Sequence, residues 1–297
     1  MTFFRFIGLA IVAGILYLGF SYLTLPDIRK INSCFTTSMN KVYLCPKSPN
    51  YATLDEISPN IKNAIIISED ASFYSHHGFD FDEIQNSLKA NITKASFARG
   101  GSTISQQLIK NLFLSKDKSL LRKLKEIILT QRMEEKFSKN TILEKYLNVV
   151  ELGDKIYGVK AGAQYYFKKS PAIVNPLEAA FLALLLPNPE KYSVSFKKKE
   201  LTPFARKRAK DILYKMSYYK KITPEEYANS INQLETFFKP IPQMEDEPSQ
   251  QELDQETYDM TEMDQIKQQQ NDSIQKLEEP APQTEEQPEA PAEPQNN

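Results

Sequence analysis

The chain has 297 residues, enough for one or two domains and a core of useful size. Charge divides it more sharply than length: residues 244–297 hold 16 acidic and 2 basic residues, so the body before them carries 35 basic against 22 acidic, a net +13, although the whole chain sums to −1. A basic body suits an anionic ligand (nucleic acid, a phospholipid surface or a pyrophosphate), and composition alone does not choose among them.

In chain order, Phe6 to Leu25 is a run of 20 residues without a charge, close to the ~20 that cross a bilayer as a helix, preceded by Arg5 and followed by Pro26. It is longer than a usual signal-peptide core and no small-x-small cleavage site follows, so residues 1–25 read as an uncleaved transmembrane anchor. Arg29, Lys30 and Lys41 on its far side leave the positive-inside count nearly silent on direction. Residues 26–50 form a linker holding Cys34 and Cys45, the only cysteines, for which a small disulfide loop and two unrelated thiols stand equally open. With neither a CxxC nor a Cys/His cluster, a zinc site is not expected.

Residues 51–240 are dense in helix punctuation and poor in β-rich runs, which predicts one mainly α domain without internal repeats. Ser119 can cap a helix with a Leu121, Leu124, Ile128 stripe. Asn175, Pro176 and Glu178 form a capping box opening the apolar helix Leu177 to Leu186, stopped by Pro187 and Pro189. Thr202 with Pro203, and Thr223 with Pro224 and Glu226, repeat the start signal. Residues 241–297, rich in Gln and Pro, cannot bury enough apolar surface to offset their ordering entropy and are expected to be a disordered acidic tail. No strand, Gly-rich loop and helix series marks a nucleotide site.

Four polar clusters adjoin apolar runs. The run Ile65–Ile67 delivers Glu69 and Asp70 to its end, where burial raises a carboxylate toward a general base; an N-cap Asp beside a surface Glu is the plainer alternative. His76 and His77, the only histidines, lie just beyond and read as structural hydrogen-bonding groups. Arg99, Gly100 and Gly101 lead into Ser102 and a helix start, a natural anion seat, with Thr103, Gln107 and Lys110 sharing one face. Arg122, Lys123 and Lys125 surround Glu126 and could grip a pyrophosphate or merely form a solvated face. Residues 139–153 read as a packing helix and an ordered turn.

The order of these clusters resembles the family 51 glycosyltransferases, lysozyme-like peptidoglycan polymerases. The match runs through Glu69-Asp-x-x-Phe73-x-x-His76-x-Gly78, Gly101-Ser-Thr-Ile-Ser-Gln-Gln107, Arg122-Lys-x-x-Glu126 and Ile142-Leu-Glu144-x-Tyr146-Leu-Asn148, and continues in Gly158-Val-x-Ala161-x-Ala163-x-x-Tyr166-Phe167 and Glu178-Ala-Ala180. It covers about Tyr51 to Lys221. The resemblance implies a monofunctional polymerase that joins lipid II units into a β-1,4-linked glycan strand with inversion and releases undecaprenyl pyrophosphate. Glu69 would be the catalytic base and Glu126 the second carboxylate, acting directly or through a divalent cation such as Mg or Mn. Lys110, Arg122 and Lys125 would bind the pyrophosphate, with Ser102, Thr103 and Gln107 lining the groove and Asp70, Phe73, His76, Gly78 and Asn148 supporting it. Expected partners are the growing strand, the bilayer and other cell-wall synthesis proteins, with the body outside a bacterial cytoplasmic membrane and no nucleic acid.

The chain departs from the family pattern at Asn86-Ser87, where an Arg-Ala pair is usual and Lys89 offers a replacement cation, and at Lys168, where Gly is common. No penicillin-binding half follows Lys221, and Ser115-x-x-Lys118 lacks the companion motifs of a transpeptidase. The competing readings are a muramidase-like hydrolase, against which the cation cluster argues, and an inactive anchored scaffold.

Overall fold

Each long helix begins where the sequence supplies an oxygen to receive its first free N–H groups. In the computed structural model, which describes residues 12, 14, 17, 19–85, 87, 101–117 and 119–238, α1 (Pro59–Glu69) starts at Ser58, whose hydroxyl accepts the Ile61 N–H. Thr103 with Gln106 opens α2 (Ile104–Phe113) in a capping box, Ser119 opens α3 (Leu120–Lys136) and Ser138 opens α4 (Lys139–Val149). After α5 (Val159–Phe167), Asn175 and Glu178 box the start of α6 (Pro176–Leu185), Thr202 caps α7 (Pro203–Tyr218), and Thr223 with Glu226 boxes α8 (Pro224–Gln233). Proline occupies the first turn of α1, α6, α7 and α8, where its missing N–H costs nothing.

Apart from Glu178 of its capping box, helix α6 is apolar all round, and every one of its residues is buried, as expected of a helix with no solvent face. Helices α1, α7 and α8 pack around it, and α1 also touches α7. A second group forms where α2 packs on α3 and α4. The end of α1 and the start of α2 join the two groups, and the catalytic candidates lie at that junction.

Strand content among the described residues is two short antiparallel hairpins. In the first, β1 (Phe35–Thr36) pairs with β2 (Tyr43–Leu44), Phe35 opposite Leu44. The Cys34–Cys45 disulfide closes it, with Cα atoms 4.1 Å apart, which resolves the two readings of the cysteines. The Ser38 and Met39 N–H groups donate to the carbonyls of Leu112 and Asn111 (2.9 and 3.3 Å), fastening this hairpin to the end of α2. In the second, β3 (Glu151–Gly153) pairs with β4 (Ile156–Tyr157).

The predicted stripe of α3 is corrected: its buried face is Glu126, Leu129, Thr130 and Met133, while Leu124 is exposed and Leu121 and Ile128 are only half-buried. The helix turns its paired carboxylate inward, and the leucine spacing follows the open side. Lys168 ends α5 in the left-handed region (φ 57°, ψ 32°), a helix-terminating conformation that glycine adopts without strain and that accounts for the glycine common at this position of the family pattern.

No helix among the described residues is long and apolar enough to cross a membrane. Most of the predicted anchor lies outside the described residues, as do the tail 241–297 and Asn86, Lys89, Arg99, Gly100 and Lys118.

Candidate active site

Glu69 is the last residue of α1, and Asp70 is its C-cap. The Asp70 carboxylate is buried; it accepts the Ile104 N–H (2.9 Å) at the start of α2 and the His76 Nε2–H (2.9 and 3.0 Å). His76 Nδ1 accepts the Gly78 N–H (3.1 Å), so Nε2 carries the ring proton and the imidazole is a structural bridge. Asp70 therefore ends one helix and begins the next through its side chain, which fixes the position of Glu69 relative to α2.

Glu69 Oε2 accepts a hydrogen bond from Gln107 Nε2 (2.9 Å). Gln107 Oε1 in turn accepts from the hydroxyl of fully buried Tyr146 on α4 (3.0 Å). Burial raises the Glu69 pKa above the usual carboxylate value, with the Asp70 charge adding to it; the Gln107 hydrogen bond and the charges of Arg208 and Lys110 oppose the rise. The residue stays partly open to solvent while protein closely surrounds its carboxyl group. A carboxylate so placed is more basic than a surface glutamate.

Along α3, Arg122 Nη1 donates to Glu126 Oε2 (3.1 Å) and Lys123 Nζ to Glu126 Oε1 (2.5 Å). Glu126 is 3 % exposed and both its oxygens are committed to these cations, while the buried Arg122 Nε has no hydrogen-bond partner among the described residues. Lys110, from α2, has its pKa lowered by burial and by Arg122 and Lys123, against the pull of Glu126 and Glu69. It thus lies in the field of both carboxylates and links the two halves of the site. Among the described residues its ammonium makes no hydrogen bond or ion pair.

Lys123, rather than Lys125, contacts Glu126, and Lys125 is half-buried without a bond to it. Thr103 is buried and its hydroxyl is occupied: it caps α2 and donates to the Gly78 carbonyl (2.7 Å), so of the predicted Thr103, Gln107 and Lys110 face only Gln107 bonds a carboxylate, while Lys110 acts on both through its charge. Ser102 is exposed beside it. Gly78 adopts φ +90°, and a Cβ there would come within 3.0 Å of Thr130 Cγ2. Phe73 is fully buried with Lys139 Nζ 4.5 Å from its ring centroid. Asn148 holds the Ala52 backbone from both sides, accepting its N–H (2.9 Å) and donating to its carbonyl (2.8 Å).

A divalent cation at Glu126 does not fit these residues, because two cationic side chains already engage its oxygens. No group of three or more His, Cys, Asp or Glu suited to a metal occurs among the described residues.

Tyr146, which the sequence shows only as part of a motif, and Arg208 join the site beyond the sequence expectation. Lys123 was legible as a neighbour of Glu126 one turn away. Arg208, on α7, donates to Ser68 Oγ (3.5 Å), and no local pattern joins positions 140 residues apart.

The chain is similar to several curated proteins. A protein of Acinetobacter baylyi named biosynthetic peptidoglycan transglycosylase is 49 % identical over 147 residues, covering 50 % of this chain and 66 % of its own length. One of Acinetobacter baumannii strain SDF with the same name is 51 % identical over 138 residues, covering 46 % and 61 %. A third, from Nitrosospira multiformis, is 45 % identical over 163 residues, covering 55 % and 69 %. The chain thus spans just under two thirds of the first of these relatives and less of the second. The transglycosylase family matches residues 37–217, more than half the chain and all of the helices that carry Glu69, Gln107, Lys110 and Glu126, and the chain belongs to that family.

Proposed function

We propose that the chain is a monofunctional peptidoglycan glycosyltransferase that polymerises lipid II and releases undecaprenyl pyrophosphate. The observation that carries this reading is the pairing, through Lys110, of a carboxylate of raised basicity with a cation cluster in one site. A sugar hydroxyl is a weak acid and needs a base; a pyrophosphate leaving group needs charge neutralisation more than it needs an acid. Glu69 takes the proton of the acceptor's 4-hydroxyl as that oxygen attacks the donor's anomeric carbon. The bond from that carbon to the pyrophosphate oxygen breaks with its electron pair leaving on the phosphate, and the anomeric centre inverts. Lys110, Arg122, Lys123 and Lys125 receive the departing charge, and Glu126 holds Arg122 and Lys123 in place. Gln107 aligns the base, Ser102 borders the groove, and Thr103, Asp70, His76, Phe73, Gly78 and Asn148 hold the frame. A neutral glycan has no use for such a cation cluster, which argues against a hydrolase.

The chain's apolar run, 6–25, supports a single-pass anchor that keeps the 51–240 domain at the outer face of a bacterial cytoplasmic membrane, where a polyprenyl substrate resides. Residues 26–50 form the linker, and the acidic 241–297 segment offers charge to basic partners among cell-wall synthesis proteins.

Polymerisation of purified lipid II by the detergent-solubilised full chain tests the reading. Glycan strands from the wild type and none from folded Glu69→Gln are expected. No strands from either protein, across lipids and salts, would overturn it.

A further inference from the structure

A glutamine amide has a donor end and an acceptor end, and which end faces a neighbour is decided by its hydrogen-bond partners. Gln107 stands between two groups that constrain it. On one side is Glu69 Oε2, 2.9 Å from Nε2; on the other is the Tyr146 hydroxyl, 3.0 Å from Oε1. Burial and the charges of Glu69 and Asp70 lift the Tyr146 pKa well above its usual value, so it remains a neutral phenol with a proton to give. The phenol's only hydrogen-bond partner among the described residues is Gln107, and its ring is fully enclosed. With the tyrosine donating, the amide oxygen is held toward α4 and the N–H₂ end toward Glu69. Among the described residues no group donates to Glu69 Oε1.

Resting on the glycosyltransferase reading above, we propose that Tyr146 is a positioning residue: through Gln107 it keeps Glu69 Oε2 hydrogen-bonded as a carboxylate oxygen and leaves Oε1 to take the acceptor's proton. Without the phenol proton the amide is free to turn its oxygen toward Glu69, an orientation that disfavours the anion and accepts from a protonated carboxyl instead. The other charged groups facing Glu69 are Lys110 from α2, Arg208 from α7 and Asp70 at the end of α1, and none of them holds the amide.

The test compares wild type, Tyr146→Phe, Gln107→Met and the double variant as full chains in detergent. Initial polymerisation rates are followed against pH, and the Glu69 carboxyl is titrated by ¹³C NMR without substrate, assigned by the signal lost in Glu69→Gln. Tyr146→Phe keeps the ring that fills the core, and thermal unfolding checks its fold. We expect its Glu69 titration and the acid limb of its rate to move upward together by about half a pH unit or more, with the rate above that limb within about threefold of wild type. Gln107→Met shifts the titration the same way, and adding Tyr146→Phe to it moves nothing further. A rate lowered equally at all pH values with an unmoved titration would overturn the proposal, as would an equal shift by Tyr146→Phe with and without Gln107. Should wild type make no glycan strands, the substrate-free titration still decides the role of Tyr146, which separates failure of this inference from failure of the function.

Discussion

Asp70→Asn is nearly isosteric, yet it breaks a buried junction in a way the hydrogen-bond pattern makes calculable. The carboxylate serves two donors, Ile104 N–H and His76 Nε2–H, while His76 Nδ1 accepts from Gly78. An amide keeps one acceptor and presents N–H₂ in place of the other. If its oxygen stays on Ile104, the N–H₂ faces the imidazole N–H; if the imidazole moves its proton to Nδ1, that proton faces the Gly78 N–H. One buried donor is stranded in either arrangement. A hydrogen bond to a charged group contributes about 1.5–3 kcal/mol and a stranded buried donor costs about 1–3 kcal/mol, so with overlap between them a loss of about 3 kcal/mol is expected. For a domain of this size that corresponds to roughly 6–12 °C in Tm. Urea unfolding of the solubilised chain, comparing midpoints at unchanged slope, measures it. A loss below about 1 kcal/mol would refute the reasoning, because it would mean that the site relaxes or admits water at no cost.

Two further outcomes follow from the site and the hairpin. Because the folded protein raises the Glu69 pKa, protonation of Glu69 favours folding, and the stability so gained is lost as pH rises through the folded value. Glu69→Gln should therefore unfold at a higher temperature than wild type near pH 7, with the advantage vanishing below the unfolded carboxylate pKa; a pH-independent difference in calorimetry would contradict this. Replacing Cys34 and Cys45 by serine removes a cross-link between residues 11 apart and should cost about 3 kcal/mol, read as a lower denaturant midpoint that reductant no longer changes.

Where local rules govern, the sequence was a good guide. The boxes at Asn175 and Thr223 and the caps at Ser119 and Thr202 each mark an observed helix start to within a residue or two, because a helix needs its acceptors close by in sequence. The rotated face of α3 was not legible from hydrophobicity, since a buried Glu126 satisfied by Arg122 and Lys123 looks polar in any periodicity count. Glu69, Gln107, Lys110 and Glu126 each stood out locally, but only the order of the motifs joined them into one site. Their meeting depends on Asp70 bridging two helices 34 residues apart, a contact that no local pattern records. Tyr146 was visible as a motif residue, but its bond to Gln107 was not, because a buried aromatic in a helix ordinarily signifies packing.

The disulfide-closed hairpin has a mechanical meaning as well. It is bound to the end of α2, the helix that carries Gln107 and Lys110, and only 12 residues separate Leu25 from Ser38, where that binding begins. Ile28 and Ile31 are buried within this stretch, so it is held against the body along its length. Fully extended it would reach about 40 Å, and its short helix makes it shorter still. With residues 6–25 taken as the anchor, the helix bearing the base's partner is kept on a short leash at the membrane surface. A substrate whose lipid stays in the bilayer would then find the site at a nearly constant height.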